Sequence, residues 1–249
     1  MSVGADDRPP AETLESSAQV PSSYLEAVAI GTRVAGTVVA LAYLTGLVPG
    51  PLLAAAGGLA LVTYGHALLL GRKGSLFTGA AFAVVVAALA VGALRWSTLE
   101  LAELRGVQAV LGPTVLVEKS GSSTPILAPA GAWTAAAAAV IGMGVWLRFP
   151  RGEVWFSLLP WAGEMLVAAL AVATVFWGPA AAALGSGEGG EIVTELVRWA
   201  LVTLAVAVPA AGLSYGLARA PRPWTVVALA LAATAALSAV GMSARLVAV

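Results

Sequence analysis

Seven apolar stretches, each close to the length of a membrane-crossing helix, fill most of this chain. They run roughly over residues 24–47, 51–70, 76–94, 132–147, 154–177, 192–217 and 224–245. An α-helix rises ~1.5 Å per residue and a bilayer's hydrocarbon core is ~30 Å thick, so about 20 apolar residues cross it. The fourth stretch is short for this task and the sixth is long. Only 10% of residues are charged against 59% hydrophobic, where soluble domains carry about 25% charge. So large an apolar excess cannot be hidden in one soluble core, and lipid is the natural solvent. The expected fold is all-α: a polytopic transmembrane helix bundle of about seven spanning helices. One transmembrane domain is expected over 24–249, preceded by a disordered polar tail over 1–23. That tail lacks the basic start and apolar core of a signal peptide.

The short connections carry the orientation. Arg72 and Lys73 lie between stretches two and three, Arg148 and Arg151 between four and five, and Arg219 and Arg222 between six and seven. The alternate short connections, 48–50 and 178–191, hold no basic residue, and the second holds Glu188 and Glu191. Basic loops stay in the cytoplasm. The expected N-terminus is therefore cytoplasmic and the C-terminus external. Trp155 and Trp177, 22 residues apart, span roughly 33 Å at ~1.5 Å per residue and suit the two interfaces. Trp96 and Trp133 are expected at the outer interface, and Trp146 and Trp224 toward the inner one. Small residues at i,i+4 (Gly31/Ala35, Gly36/Ala40, Ala138/Gly142) are candidates for close helix approach, although an Ala-rich chain produces such pairs by chance.

The segment 95–131 is the one sizeable loop, expected outside. Ser97 and Glu100 have capping-box spacing, and Leu101, Leu104 and Leu111 recur at helical intervals, so a short amphipathic helix is expected there. Two apolar runs around Lys119–Ser123 suggest a hairpin. A loop of this length serves either as a lid or as a docking surface for a membrane-protein partner.

Ionisable groups inside spanning helices are costly and become the functional candidates. Glu164 lies ten residues into its stretch, roughly 15 Å deep. Arg33 lies roughly 13 Å from the cytoplasmic end of the first stretch. His66 lies about one turn from the cytoplasmic end of the second. Glu26 precedes Arg33 by seven residues, two turns, and shares its face. By depth, Arg33, His66 and Glu164 fall in one half of the membrane, so a single polar cluster can join three helices. Such a cluster is either an ion pair that fixes packing or an ion relay or charged-substrate site.

Other chemistries find little support. Cysteine is absent and there is one histidine, which removes thiolate chemistry and multi-histidine metal or haem sites within this chain. No metal or other cofactor is expected. Zero formal charge gives no support for nucleic-acid binding. There is no Walker loop and no HExxH pattern. A retinal Schiff base needs a lysine in the last helix, but the two lysines are Lys73 and Lys119. Gly212–Gly216 matches GxSxG, but within an apolar helix it lacks the strand-to-helix turn that exposes such a serine. Small-residue packing, with Ser214 bonding to its own helix, is expected instead. The absence of Asn and eleven Arg against two Lys fit a GC-rich prokaryotic genome. The expected function is that of a non-enzymatic accessory or scaffold component of a prokaryotic cytoplasmic-membrane assembly. The alternatives are a small transporter or ion conductor using Glu164, Arg33 and His66, and an intramembrane lipid-modifying enzyme.

Overall fold

A computed structural model describes residues 22–70, 72–94, 129–150, 155–177 and 189–247. Among them are seven α-helices and no sheet. They are α1 (Ser22–Thr45), α2 (Leu52–Leu69), α3 (Arg72–Leu94), α4 (Pro129–Trp146), α5 (Trp155–Trp177), α6 (Gly189–Arg219) and α7 (Arg222–Val247). All but α4 are long and apolar enough to cross a membrane. The expected tail falls almost wholly on residues 1–21 and the amphipathic helix and hairpin on 95–128, outside the described residues.

α4 is shorter but runs between the same two ends as its neighbours. Near its start, Trp133 meets Trp177, at the end of α5, edge to face at 5.6 Å. Just past its end, the Leu147 carbonyl accepts the Trp161 indole N–H at 3.0 Å, near the start of α5. The two helices are therefore antiparallel neighbours. α4 is enclosed by α3, α5, α6 and α7, so its ends need not reach as far as those of a helix standing in lipid. Its alanines and glycines suit that place. Ala135, Ala138 and Ala139 are fully buried, and Gly142 faces Val85 so closely that a Cβ there would lie 2.9 Å from the valine methyl.

α5 is the most enclosed of the six long helices and touches α1, α2, α3, α4 and α6. The outer helices show the opposite pattern. Val34, Val38 and Leu41 on α1, and Val226, Val227 and Leu231 on α7, are exposed. In water such a girdle would be an aggregation surface, whereas against acyl chains it is solvated.

The α1–α2 hairpin is built on small residues. Thr45 ends α1, and Gly46 follows with φ 79°, the left-handed conformation that glycine enters at no steric cost. Along the pair, a Cβ on Gly36 would lie 2.5 Å from the Gly58 carbonyl oxygen. A Cβ on Gly58 would lie 2.5 Å from the Ala40 backbone nitrogen. The two backbones thus touch, as the Gly36/Ala40 spacing suggested. Gly31/Ala35 does not do this. Both residues are exposed, and nothing approaches Gly31 within 4 Å. Trp146 closes the last turn of α4 beside Arg148 and turns inward: it is only 1% exposed and packs against Phe82 with ring centres 5.1 Å apart and planes tilted by 46°.

Gly58→Val should destabilise the protein by about 3 kcal/mol or more, because the groups in the way are backbone and cannot rotate aside. Gly31→Val should stay within about 0.5–1 kcal/mol. Thermal unfolding of both variants in one detergent checks the contrast, and equal losses would contradict the α1–α2 packing.

Candidate functional site

Three helices deliver one side chain each to a shared point. Arg33 comes from the middle of α1, His66 from the last turns of α2 and Glu164 from the tenth position of α5. The Arg33 guanidinium donates twice to the carboxylate, from Nε to Oε1 at 2.7 Å and from Nη2 to Oε2 at 3.1 Å. This fork geometry is what a planar guanidinium offers and a lysine does not. His66 Nε2 lies 2.9 Å from Oε2. An ionised carboxylate has no proton to give, so the hydrogen of that bond sits on Nε2.

The local sequence makes room for this contact. Gly65 precedes His66 on α2, and a Cβ there would lie 2.6 Å from Arg33 Cγ and 2.7 Å from the Ala29 carbonyl oxygen. The bare glycine backbone is the slot through which the Arg33 stem passes to reach α5. Ala29, one turn before Arg33, is fully buried in the same groove.

Glu164 is 2% exposed, whereas Arg33 and His66 are 13% and 16% exposed. The carboxylate is sealed and its two partners stand between it and the surface. Beyond Glu164, α5 continues as a buried run of apolar side chains, Val167–Val172. Burying a carboxylate without a partner costs several kcal/mol. Here both oxygens are engaged by donors and the guanidinium balances the charge.

Glu26 does not join the cluster. It is exposed on the first turns of α1, and Arg33 turns to α5 instead. Sharing a helix face brought the two no closer, since an exposed carboxylate stays better solvated by water than by a buried cation. No group of three His, Asp or Glu side chains arranged to hold a metal is found among the described residues.

Ser214 is helical and 1% exposed, and its hydroxyl donates to the Leu147 carbonyl rather than to its own helix. That oxygen also takes the Trp161 N–H. One terminal carbonyl of α4 therefore ties down α5 and α6, satisfying an acceptor that a helix end leaves open. Phe149 completes the junction, edge-on to Trp161 at 5.0 Å and to Tyr215 at 5.1 Å, with the Arg219 guanidinium 3.7 Å from the Tyr215 ring centre. Gly212–Gly216 thus serves packing. A strained turn presenting a nucleophile is not what the helix provides.

Comparison of the chain with protein-family models, curated proteins and solved structures finds no significant match.

Glu164→Ala should destabilise the bundle by about 3–5 kcal/mol, because it leaves Arg33 and His66 without their acceptor. Glu26→Ala should change stability by no more than about 0.5 kcal/mol. Denaturant unfolding of the detergent-solubilised protein, read by tryptophan fluorescence, measures both.

Proposed function

We propose that this chain is a non-enzymatic, multi-pass protein of a prokaryotic cytoplasmic membrane, an accessory or scaffold component of a membrane assembly. The observation that carries this reading is the closure of the polar cluster. Glu164 is 2% exposed, and its oxygens are committed to Arg33 and His66. A carboxylate held this way welds α1, α2 and α5 into a rigid platform. Rigidity suits a protein whose work is to present surfaces to others. The partner surface we assign to the 95–131 segment, which is long for a plain connector. The basic end of the bundle faces the cytoplasm in this reading, on the positive-inside preference of Lys73, Arg148, Arg219 and Arg222.

A second reading has one observation in its favour. A cleft from the basic end is lined by Arg33 and His66, the two partners of Glu164. An ion conductor would use such an entrance. It would also need Glu164 to exchange its partners and an exit past the apolar half of α5.

The two readings separate in liposomes loaded with a pH-sensitive dye. The scaffold reading predicts that wild type and Glu164→Gln leak protons equally under an imposed potential. Flux in wild type that Glu164→Gln abolishes would favour conduction. Orientation is checked by single cysteines at Arg72 and Ser122, which an impermeant reagent should label from opposite sides of the membrane. Same-side labelling would overturn the assigned topology.

A further inference from the structure

Arg33 and His66 do not commit all their hydrogen-bonding atoms to Glu164. The guanidinium gives the carboxylate its Nε and Nη2 hydrogens, and the imidazole gives it Nε2. Arg33 Nη1, a donor, is left over. So is His66 Nδ1, which in the neutral imidazole is an acceptor because the hydrogen sits on Nε2. Neither atom has a hydrogen-bond partner among the described residues, and neither is sealed from solvent, unlike Trp146 Nε1 and Thr78 Oγ1. The exposed parts of the two side chains, 13% for Arg33 and 16% for His66, agree with this. Both heads bond the same oxygen, Glu164 Oε2, so they are adjacent.

Both residues line the cleft at the basic end. It measures about 220 Å³ and lies between the end of α2, the start of α3 and the α4–α5 junction. Much of its wall is apolar, from Leu69, Leu70, Phe149, Pro150 and Trp161. Trp161 gives its indole N–H to the Leu147 carbonyl, so what it adds to the cleft is its ring. Glu164 balances the Arg33 charge. Arg148, at the border, is exposed and has an interaction partner of its own. The cluster therefore offers the cleft one donor and one acceptor, without an unbalanced charge, beside an apolar and partly aromatic wall.

We propose that the cleft binds the ring of a phenol, its hydroxyl donating to His66 Nδ1 and accepting from Arg33 Nη1. A hydroxyl does both from one oxygen. An ionised carboxylate or a phosphate dianion has no hydrogen for Nδ1 and is repelled by Glu164, and an ammonium is repelled by Arg33. Glu164 on the far side of the imidazole strengthens Nδ1 as an acceptor, because hydrogen bonds in a chain polarise one another. The volume selects a ring. An apolar cavity of ~150 Å³ holds benzene, so this cleft has room for a benzene ring with its hydroxyl. Phe149 and Trp161 supply aromatic surfaces on which such a ring packs edge to face. The phenolic O–H is also a stronger donor than that of an aliphatic alcohol. Phenols reach such a cleft either free in solution or at the head of a membrane-borne apolar tail. The site requires neither a protein partner nor flux past Glu164, so it goes beyond the scaffold reading and stands or falls separately from it.

The test uses the full-length protein in phosphatidylcholine nanodiscs at mildly alkaline pH, with thermal unfolding followed by circular dichroism. In one arm p-cresol is added from solution. In the other, 4-dodecylphenol is mixed into the bilayer. Each phenol is compared with its methyl ether, which enters the bilayer as readily but has no hydrogen to donate. The phenol should give a saturable rise in unfolding temperature, and the ether should bind about tenfold more weakly, the equivalent of one good hydrogen bond. A response to p-cresol alone identifies a soluble phenol, and a response to 4-dodecylphenol identifies a membrane-borne one. His66→Phe keeps a ring in place and removes Nδ1, so it should bind phenol and ether alike. A purely structural role for His66 would lower the unfolding temperature but leave the preference for the phenol intact. No saturable rise in either arm overturns the proposal, as does an ether that matches its phenol on the wild-type protein. A phenol preference that survives in His66→Phe also overturns it. If that variant fails to fold, the wild-type comparison of phenol with ether decides the matter alone.

Discussion

A carboxylate inside a membrane has no water to fall back on, so Glu164 can remain ionised in this fold only where Arg33 and His66 meet it. That requirement reaches far into the structure. α1 and α2 must arrive together, at a fixed height and with a fixed rotation, or the fork of Arg33 misses both oxygens. The hairpin meets this demand through glycine. Gly36 and Gly58 let the two backbones touch, and Gly65 clears the slot for the Arg33 stem. Close packing in lipid has no hydrophobic drive between helices and depends on van der Waals contact and polar pairing. In this chain the small residues provide the first and the cluster provides the second.

The rest of the bundle is arranged around α5 and α4. α5 carries Glu164 and is the most enclosed long helix. α4, short and rich in alanine, fills the interior beside it. Where α4 ends, the Leu147 carbonyl takes hydrogen bonds from Trp161 and Ser214, so the junction that walls the cleft is also the one that fixes α5 against α6. The polar lock, the α4 terminus and the cleft lie in the same half of the bundle. The opposite half holds the Trp133–Trp177 contact and a stretch of α5 without ionisable side chains.

Much of this was legible in the sequence. Bilayer-length apolar runs gave the all-helical fold and the seven elements. Depth arithmetic alone put Arg33, His66 and Glu164 in one half of the membrane, because rise per residue converts position into height. Rotation is harder. Gly31/Ala35 and Gly36/Ala40 look alike as text, yet one pair faces outward and the other lies against α2. An Ala-rich helix has too little contrast between its faces to decide which way it turns. Glu26 misled for a related reason: a shared helix face sets proximity in one direction only, and water competes successfully for an exposed carboxylate. The roles of Gly65 and Trp146 were not readable at all. Each depends on what a different helix places opposite it, and a single sequence carries no record of that.

Arg33 and Glu164 act as one unit holding α1 to α5. A double-mutant cycle with Arg33→Met, Glu164→Met and the double variant measures it directly, with unfolding free energies taken in one detergent. The structure predicts a coupling of about 2–3 kcal/mol, with the double variant losing much less than the sum of the single losses. Additive losses, within about 0.5 kcal/mol, would mean that the two side chains do not meet in the folded protein.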